Sequence, residues 1–315
     1  MYFFIFFFLI LYKNRQKIYL SVLILSVKLV NMAQNKSKVL QIPNYIKNTS
    51  KVLLAVNKKL AAVFALKLFE TPIKHNLPKR EQKMFDVSQK NILKLPTSGK
   101  EIMEYENTFG SPKVLLVHGW NGRGTQLVTI AKLFKELGYK IVSFDAPGHG
   151  KTIKDTANMK HFIEAIFELD KKHQGFDVII GHSLGGMSTI NALGRGLQAK
   201  KAIIIGSGNK THDIVADFLK SIGMGSKINS LFVKMFNHKE NDDITNYDVV
   251  PHAKNVTCNV LVLHDKNDDD VPYTASVAIH ENLTNSKLVL TENLGHRKIL
   301  GDEKVISIIE KFVTN

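Results

Sequence analysis

Past residue 84 the apolar positions of the chain fall into two alternating rhythms. Short β-branched runs predict strands, and apolar residues three and four apart predict helices. Asn91 to Leu95 and Glu101 to Glu106 read as two early antiparallel strands joined by a turn at Ser98-Gly99. Lys113 to Val117, Lys140 to Phe144, Asp177 to Ile180, Ala202 to Ile205, Val260 to Leu263 and Lys287 to Leu290 are apolar without alternation, as expected of buried parallel strands. Between them, Leu127, Ile130, Ala131 and Phe134 share one helical face. Met159, Phe162, Ile163 and Ile166 share another, with Asp155 or Thr156 as its cap. Further helices are predicted at Tyr273 to Asn282 and Glu303 to Val313. Strands alternating with helices predict an α/β fold, a mostly parallel central sheet with helices on both faces.

The rhythm breaks between Ile205 and Val260, where no strand is evident. Ile214 to Ile222 and Ile228 to Phe236 are helix-like and separated by Gly223-Met224-Gly225. An insertion at about 209–256 sits above the carboxyl ends of the strands, where α/β sheets bind ligands. It is expected to form a small helical cap carrying Phe218, Leu219, Leu231, Phe232, Met235 and Phe236, the alternative being helices that merely close the core.

Ahead of the domain at 84–315, residues 32–83 read as a basic helical arm. Its strong segment is a single helix from Lys51 to Phe69, ended by Thr71-Pro72, with Pro78-Lys79-Arg80-Glu81 as a connector. That helix either packs on the following domain with its lysines solvated, the reading we favour, or lies on an anionic membrane. Residues 1–31 hold two apolar runs, Tyr2 to Tyr12 and Ile18 to Val30, around Lys13-Asn14-Arg15-Gln16-Lys17. Neither run reaches the roughly 20 residues of a spanning helix, and the flanks of a secretory signal are poor. The Phe, Ile, Leu, Tyr, Lys and Asn bias is that of translated AT-rich non-coding DNA, so Met32 is the expected initiator and a membrane anchor the second reading. The first reading makes the protein cytoplasmic. The second makes it membrane-associated, touching lipid through residues 1–70.

Composition changes this picture in two places. The formal charge is +15, but residues 1–110 hold 18 Lys/Arg against 6 Asp/Glu and residues 111–315 hold 25 against 22. The excess is therefore an N-terminal property. It points to an anionic surface rather than to a substrate, and without zinc-finger spacing or an RNP-type motif no nucleic-acid partner is expected. The single cysteine, Cys258, excludes an intrachain disulfide and reads as a core thiol. Nothing in the pattern specifies an oligomeric state.

The candidate chemistry starts at Gly181-His182-Ser183-Leu184-Gly185-Gly186, which follows the run at 177–180. Gly-x-Ser-x-Gly alone arises by chance in roughly one chain in ten of this length. After a strand and before a small-residue helix it has the form of a nucleophile elbow, with Ser183 at the apex. A serine needs a base, and the base an orienting acid. His264-Asp265-Lys266-Asn267-Asp268-Asp269-Asp270-Val271-Pro272 follows one strand and supplies four candidate acids. Gly295-His296 follows the last strand, and the glycine singles out His296 as base. Oxyanion donors are expected from the backbone N–H groups of Leu184 and of Trp120, in His118-Gly119-Trp120.

These motifs, with Asp145-Ala146-Pro147-Gly148-His149-Gly150, resemble those of the α/β-hydrolase superfamily, in family order over roughly residues 84–315. The resemblance implies Ser183 as nucleophile, Asp268 as acid and His296 as base, with Asp265 only shaping its turn. Leu66 to Pro72 also resembles, loosely, the N-terminal helix of some bacterial α/β-fold hydrolases, favouring a packed arm. The implied function is hydrolysis of a small-molecule carboxylic ester through an acyl-enzyme, with neither metal nor organic cofactor. Alternatives are a monoacylglycerol or lysophospholipid hydrolase, an acyltransferase or C–C hydrolase on the same triad, and a non-catalytic α/β-hydrolase-like binding protein.

Overall fold

The structure is a computed structural model and describes residues 42–107 and 110–315. The expectations for residues 1–31 and for Met32 lie outside the described residues. Among the described residues eight strands form one sheet: β1 (Gln89–Lys94), β2 (Glu101–Asn107), β3 (Lys113–Val117), β4 (Lys140–Asp145), β5 (Val178–His182), β6 (Lys201–Ile205), β7 (Asn259–Asp265) and β8 (Ser286–Thr291). Their order is β1-β2-β4-β3-β5-β6-β7-β8, antiparallel at β1–β2 and β2–β4 and parallel from there on. The predicted turn is present, with Gly99 N donating to Leu95 O. Register brings Val117 beside Gly181, His182 beside Ile205 and Ile205 beside Leu263, so the functional loops leave one edge together.

Alternation along the strands sends side chains to two cores. Leu115, Val117, Ile179 and Ile204 face one, while Val114, Leu116, Ile180 and Ile205 face the other. Among the described residues the helices are α1 (Asn44–Val56), α2 (Lys58–Phe69), α3 (Lys79–Val87), α4 (Val128–Glu136), α5 (Met159–His173) and α6 (Leu184–Gly194). They continue as α7 (Thr211–Ser221), α8 (Asn229–Glu240), α9 (Val249–Ala253), α10 (Thr274–Asn282), α11 (Gly295–Lys298) and α12 (Glu303–Thr314). The first core takes α5, α6 and α9, and the second takes α4 and α12.

A third cluster joins the arm to the β6–β7 insertion. Ala61, Ala62, Ala65 and Leu66 of α2 meet Val215, Leu219, Phe232 and Phe236 of α7 and α8. The Phe69 ring lies edge-on to Phe218 at 5.1 Å and to Phe232 at 5.4 Å. Buried Glu70 pairs with Lys239 at 2.6 Å, and Ala157 N donates to Glu70 O.

Four sequence expectations are corrected. The arm helix is two helices, because Asn57 adopts extended backbone and its side chain accepts from Lys59 N at 2.8 Å and Leu60 N at 3.2 Å. An asparagine that bonds its own backbone competes with helix continuation. The connector at 78–81 instead opens α3, with Pro78 at its N-cap and Glu81 and Met84 buried. The cap of α5 is Asn158, not Asp155 or Thr156: its side chain accepts from Lys160 N, and its N–H donates to His161 Nδ1 at 3.0 Å. Cys258 is half-buried at the margin of the core rather than inside it.

Candidate active site

Strand β5 turns into α6 through Ser183, which is held at φ 54° and ψ −119°, a strained conformation for a residue with a Cβ. The turn closes only because its neighbours are small. A Cβ on Gly181 would stand 2.4 Å from Gly185 O, and one on Gly185 would stand 2.3 Å from Val117 O. Ser183 N donates to Ile205 O at 2.9 Å, which fixes the apex against β6. The hydroxyl has no hydrogen-bond partner among the described residues.

The acid and base loops meet at the same edge. His296 Nδ1 donates to Asp268 Oδ2 at 2.7 Å, which leaves Nε2 to accept a proton. Asp268 Oδ1 accepts from Asp270 N and Val271 N, and His264 Nε2 stands 3.3 Å from Oδ2. Burial opposes the charge on Asp268, but hydrogen bonds from His264, His296 and Val271 N prevail and hold its carboxyl well below the usual range. Asp265 behaves differently. It accepts from Asn267 N, Thr291 Oγ1 and Leu294 N, and so ties the two loops together. Asp270 faces Arg297 at 3.6 Å. Gly206 has φ 59°, and a Cβ there would lie 3.3 Å from the His296 ring, so a side chain would crowd the imidazole.

The residue before Ser183 is in contact with His296. His182 Nε2 donates to the His296 backbone oxygen at 2.9 Å, and the two rings are 4.6 Å apart. Burial, then the neighbouring His296, push the His182 imidazole down to about 3, so it is neutral near pH 7. The bond to a carbonyl puts its proton on Nε2, and Nδ1 is buried without a partner among the described residues.

The opposite wall is the loop after β3. A Cβ on Gly119 would stand 3.0 Å from Ser183 Cβ, so the loop presses directly on the elbow. The backbone N–H groups of Trp120 and Leu184 have no acceptor among the described residues. Five hydrogen bonds and one ring contact shape this loop. His118 Nδ1 donates to Gly119 O at 2.7 Å, and its Nε2 accepts from Ala146 N at 3.1 Å. Gly119 N donates to Gln126 Oε1, and Gly124 N donates to Asp145 Oδ1 at 2.6 Å. Asn121, left-handed at φ 57°, accepts from Ile73 N of the arm at 2.7 Å. Trp120 stacks edge-on against His149 at 5.0 Å. His149 is pushed down to about 4, first by burial.

The profile of the alpha/beta hydrolase family matches residues 114–303, more than half of the chain. The chain belongs to that family. Bovine mitochondrial palmitoyl-protein thioesterase ABHD10 is 24% identical over 207 residues, covering 59% of the hydrolase and 67% of that protein. Phospholipase YtpA of Bacillus subtilis is 31% identical over 86 residues, 24% of the hydrolase and 32% of that protein. Among solved structures, the esterase EaEST from Exiguobacterium antarcticum superposes with a TM-score of 0.57 at 19% identity, over 72% of the hydrolase and all of that chain. Mouse alpha/beta hydrolase domain-containing protein 10 gives 0.53 at 16%, over 72% and 97%. At these identities the structural matches show the fold.

The structure thus brings Ser183, Asp268, His296, Trp120 and Leu184 of the hydrolase to one edge. Sequence reasoning missed His264 and Asn121. His264 was legible in part, as a histidine ending a strand one residue before the acidic loop. Asn121 carried no signal, because its partner lies 48 residues away. Among the described residues one group offers three ligand atoms for a metal within 4.8 Å of one another, Glu104, Glu106 and His173. Lys172 and Asn91 already hold both of those carboxylates.

Proposed function

We propose that the protein is a serine hydrolase that cleaves carboxylic esters through an acyl-enzyme on Ser183. The observation that carries this reading is the 2.7 Å bond from His296 Nδ1 to Asp268, at the strand edge that also holds the strained Ser183. In this reading His296 Nε2 takes the Ser183 proton as Oγ attacks the ester carbonyl. Charge develops on the carbonyl oxygen, and the backbone N–H groups of Trp120 and Leu184 receive it. His296 returns the proton to the departing alcohol. A water deprotonated by His296 then releases the acid and regenerates Ser183. Catalytic hydrogen bonds are often long before substrate binds, which accommodates a Ser183 hydroxyl without a partner among the described residues.

The relatives' names, a palmitoyl-protein thioesterase and a phospholipase, support a second reading within the same chemistry, an acyl substrate of lipid type. An acyltransferase or C–C hydrolase would use the same residues and differ in the acceptor or the bond broken. A fluorophosphonate probe tests the site: we expect labelling of Ser183, abolished together with p-nitrophenyl ester hydrolysis in Ser183→Ala. Full activity in Ser183→Ala, with the label elsewhere, sinks the assignment. A panel of esters graded by chain length separates the short-chain reading from the lipid one.

A further inference from the structure

The first acidic residue in the chain is Glu70. Eleven lysines and arginines precede it, and five of them (Lys47, Lys51, Lys58, Lys59 and Lys67) fall within residues 42–69. Glu70 gives this segment no counter-charge, because it is buried and engaged by Lys239. The helices that carry these lysines have distinct sides. On the inner side, Ile46, Leu53 and Leu54 of α1 and Ala61, Ala62, Ala65 and Leu66 of α2 join the cluster shared with α7 and α8.

Their outer sides are apolar too. Val52 is 61% exposed, Val56 72%, Leu60 46% and Val63 39%, beside the exposed Lys51, Lys58, Lys59 and Lys67. Val52 and Val56, four residues apart, share one side of α1, and Leu60 and Val63, three apart, share one side of α2; exposed apolar positions gathered in this way mark an interaction site.

We propose that the outer face of α1 and α2 docks the protein on an anionic lipid surface. The lysines meet phosphate and carboxylate headgroups, and Val52, Val56, Leu60 and Val63 sit at the boundary with the acyl chains. No helix among the described residues is long and apolar enough to cross a membrane, so α1 and α2 would lie on the surface rather than span it.

Charge selects this occupant over the others. A second copy meeting the same face about a two-fold axis would set lysine against lysine. Residues 1–41 carry six basic residues and no acidic one, so they bring no countercharge. A nucleic acid would find aliphatic side chains where its bases need aromatic platforms. Because α2 packs on α8, docking brings the β6–β7 insertion to the bilayer with it.

The test uses the full chain and sedimentation with phosphatidylcholine vesicles, with or without about 30% phosphatidylserine. We expect at least about tenfold stronger partitioning into the anionic vesicles, fading at about 0.5 M salt. Changing Lys51, Lys58, Lys59 and Lys67 to Gln abolishes that preference. Changing Val52, Val56, Leu60 and Val63 to Gln weakens partitioning about tenfold at unchanged Tm. If the fourfold variant melts early, Val56→Gln alone is used, with about a two- to threefold loss expected. Wild-type partitioning by both sets of variants assigns the binding to other residues and overturns the proposal. So does equal binding to neutral vesicles, an altered oligomeric state at unaltered partitioning, or tighter binding to a single-stranded oligonucleotide than to lipid.

Discussion

Asp268 and His296 meet across 28 residues, and the bonds that shape their two loops come from the ends of β7 and β8 and the residues just beyond. Loop 118–124 is held from much farther away. Ile73 reaches it from the arm, Glu81 of α3 takes Thr125 Oγ1 at 2.7 Å and Arg123 at 3.6 Å, and Asp145 takes Gly124 N from the end of β4. The acid–base end is therefore as secure as the sheet edge that carries it. Loop 118–124, with the proposed oxyanion donor Trp120, depends on the arm staying packed, which makes it the softer half of the candidate site.

Four experiments break or sharpen this contrast. The largest effect is expected at the acid–base end. Asp268→Asn should lower kcat/KM by about 10³ to 10⁴, by analogy with loss of an orienting aspartate. Asp265→Asn should cost far less in turnover and show mainly as a lower Tm. A larger turnover loss at Asp265 than at Asp268 reverses the assignment.

The second is a pH titration of stability. His118, His149, His161 and His182 are held neutral, chiefly by burial, with His149 and His161 near 4 and His182 near 3. Their unfolded forms titrate near 6.5, so below that pH the unfolded chain binds more protons and stability falls. Each costs about 1.4 kcal/mol per pH unit until its folded value is reached, about 3 kcal/mol for His149. Asp268 has the same sign but a lower window: its folded value is depressed, so its contribution is lost only as pH falls below the usual carboxylate range near 4. Thermal melts from pH 7 to 3 should thus show the histidine side weakening first. His149→Phe should shallow the slope between about pH 6.5 and 4 by one proton. An unchanged slope contradicts a neutral His149.

The third removes the arm's anchor. Lys239→Met leaves Glu70 buried without its cation and should cost about 2 kcal/mol, less than a fully buried pair because Lys239 is half-exposed. The melt measures it, and a loss under about 0.5 kcal/mol would show that the ion pair does not hold the arm.

The smallest is the most pointed. Asn121→Gly keeps the left-handed backbone but removes the acceptor of Ile73 N. It should lower kcat about tenfold with KM little changed, and Asn121→Asp should restore it because the carboxylate still accepts. Equal effects on both variants would mean that the bond from the arm does not position the loop.

Much of the fold could be read from pattern, for identifiable reasons. Val114 to Val117, Val178 to Ile180 and Ile203 to Ile205 are covered on both faces, and a strand in that position has to be apolar throughout. The helix from Lys79 escaped notice because it buries little beyond Glu81 and Met84. The break at Asn57 escaped because apolar spacing continues on both sides of it. In the candidate site, a glycine that no side chain could replace marks the elbow, as at Gly181 and Gly185. Chemistry alone did not choose among Asp265, Asp268, Asp269 and Asp270, since four aspartates in six residues are alike; only the resemblance of the loop motif pointed to Asp268.

Local sequence by itself determined what short-range sterics and burial dictate: eight strands, the alternation of α and β, and the strained serine turn with its small neighbours. Tertiary structure alone decided that His264 backs the carboxylate facing His296, and that an arm residue holds Asn121. Those outcomes rest on hydrogen bonds between loops distant in the chain. Such bonds are set by how strand ends align across the sheet, a distance that no spacing along the sequence records.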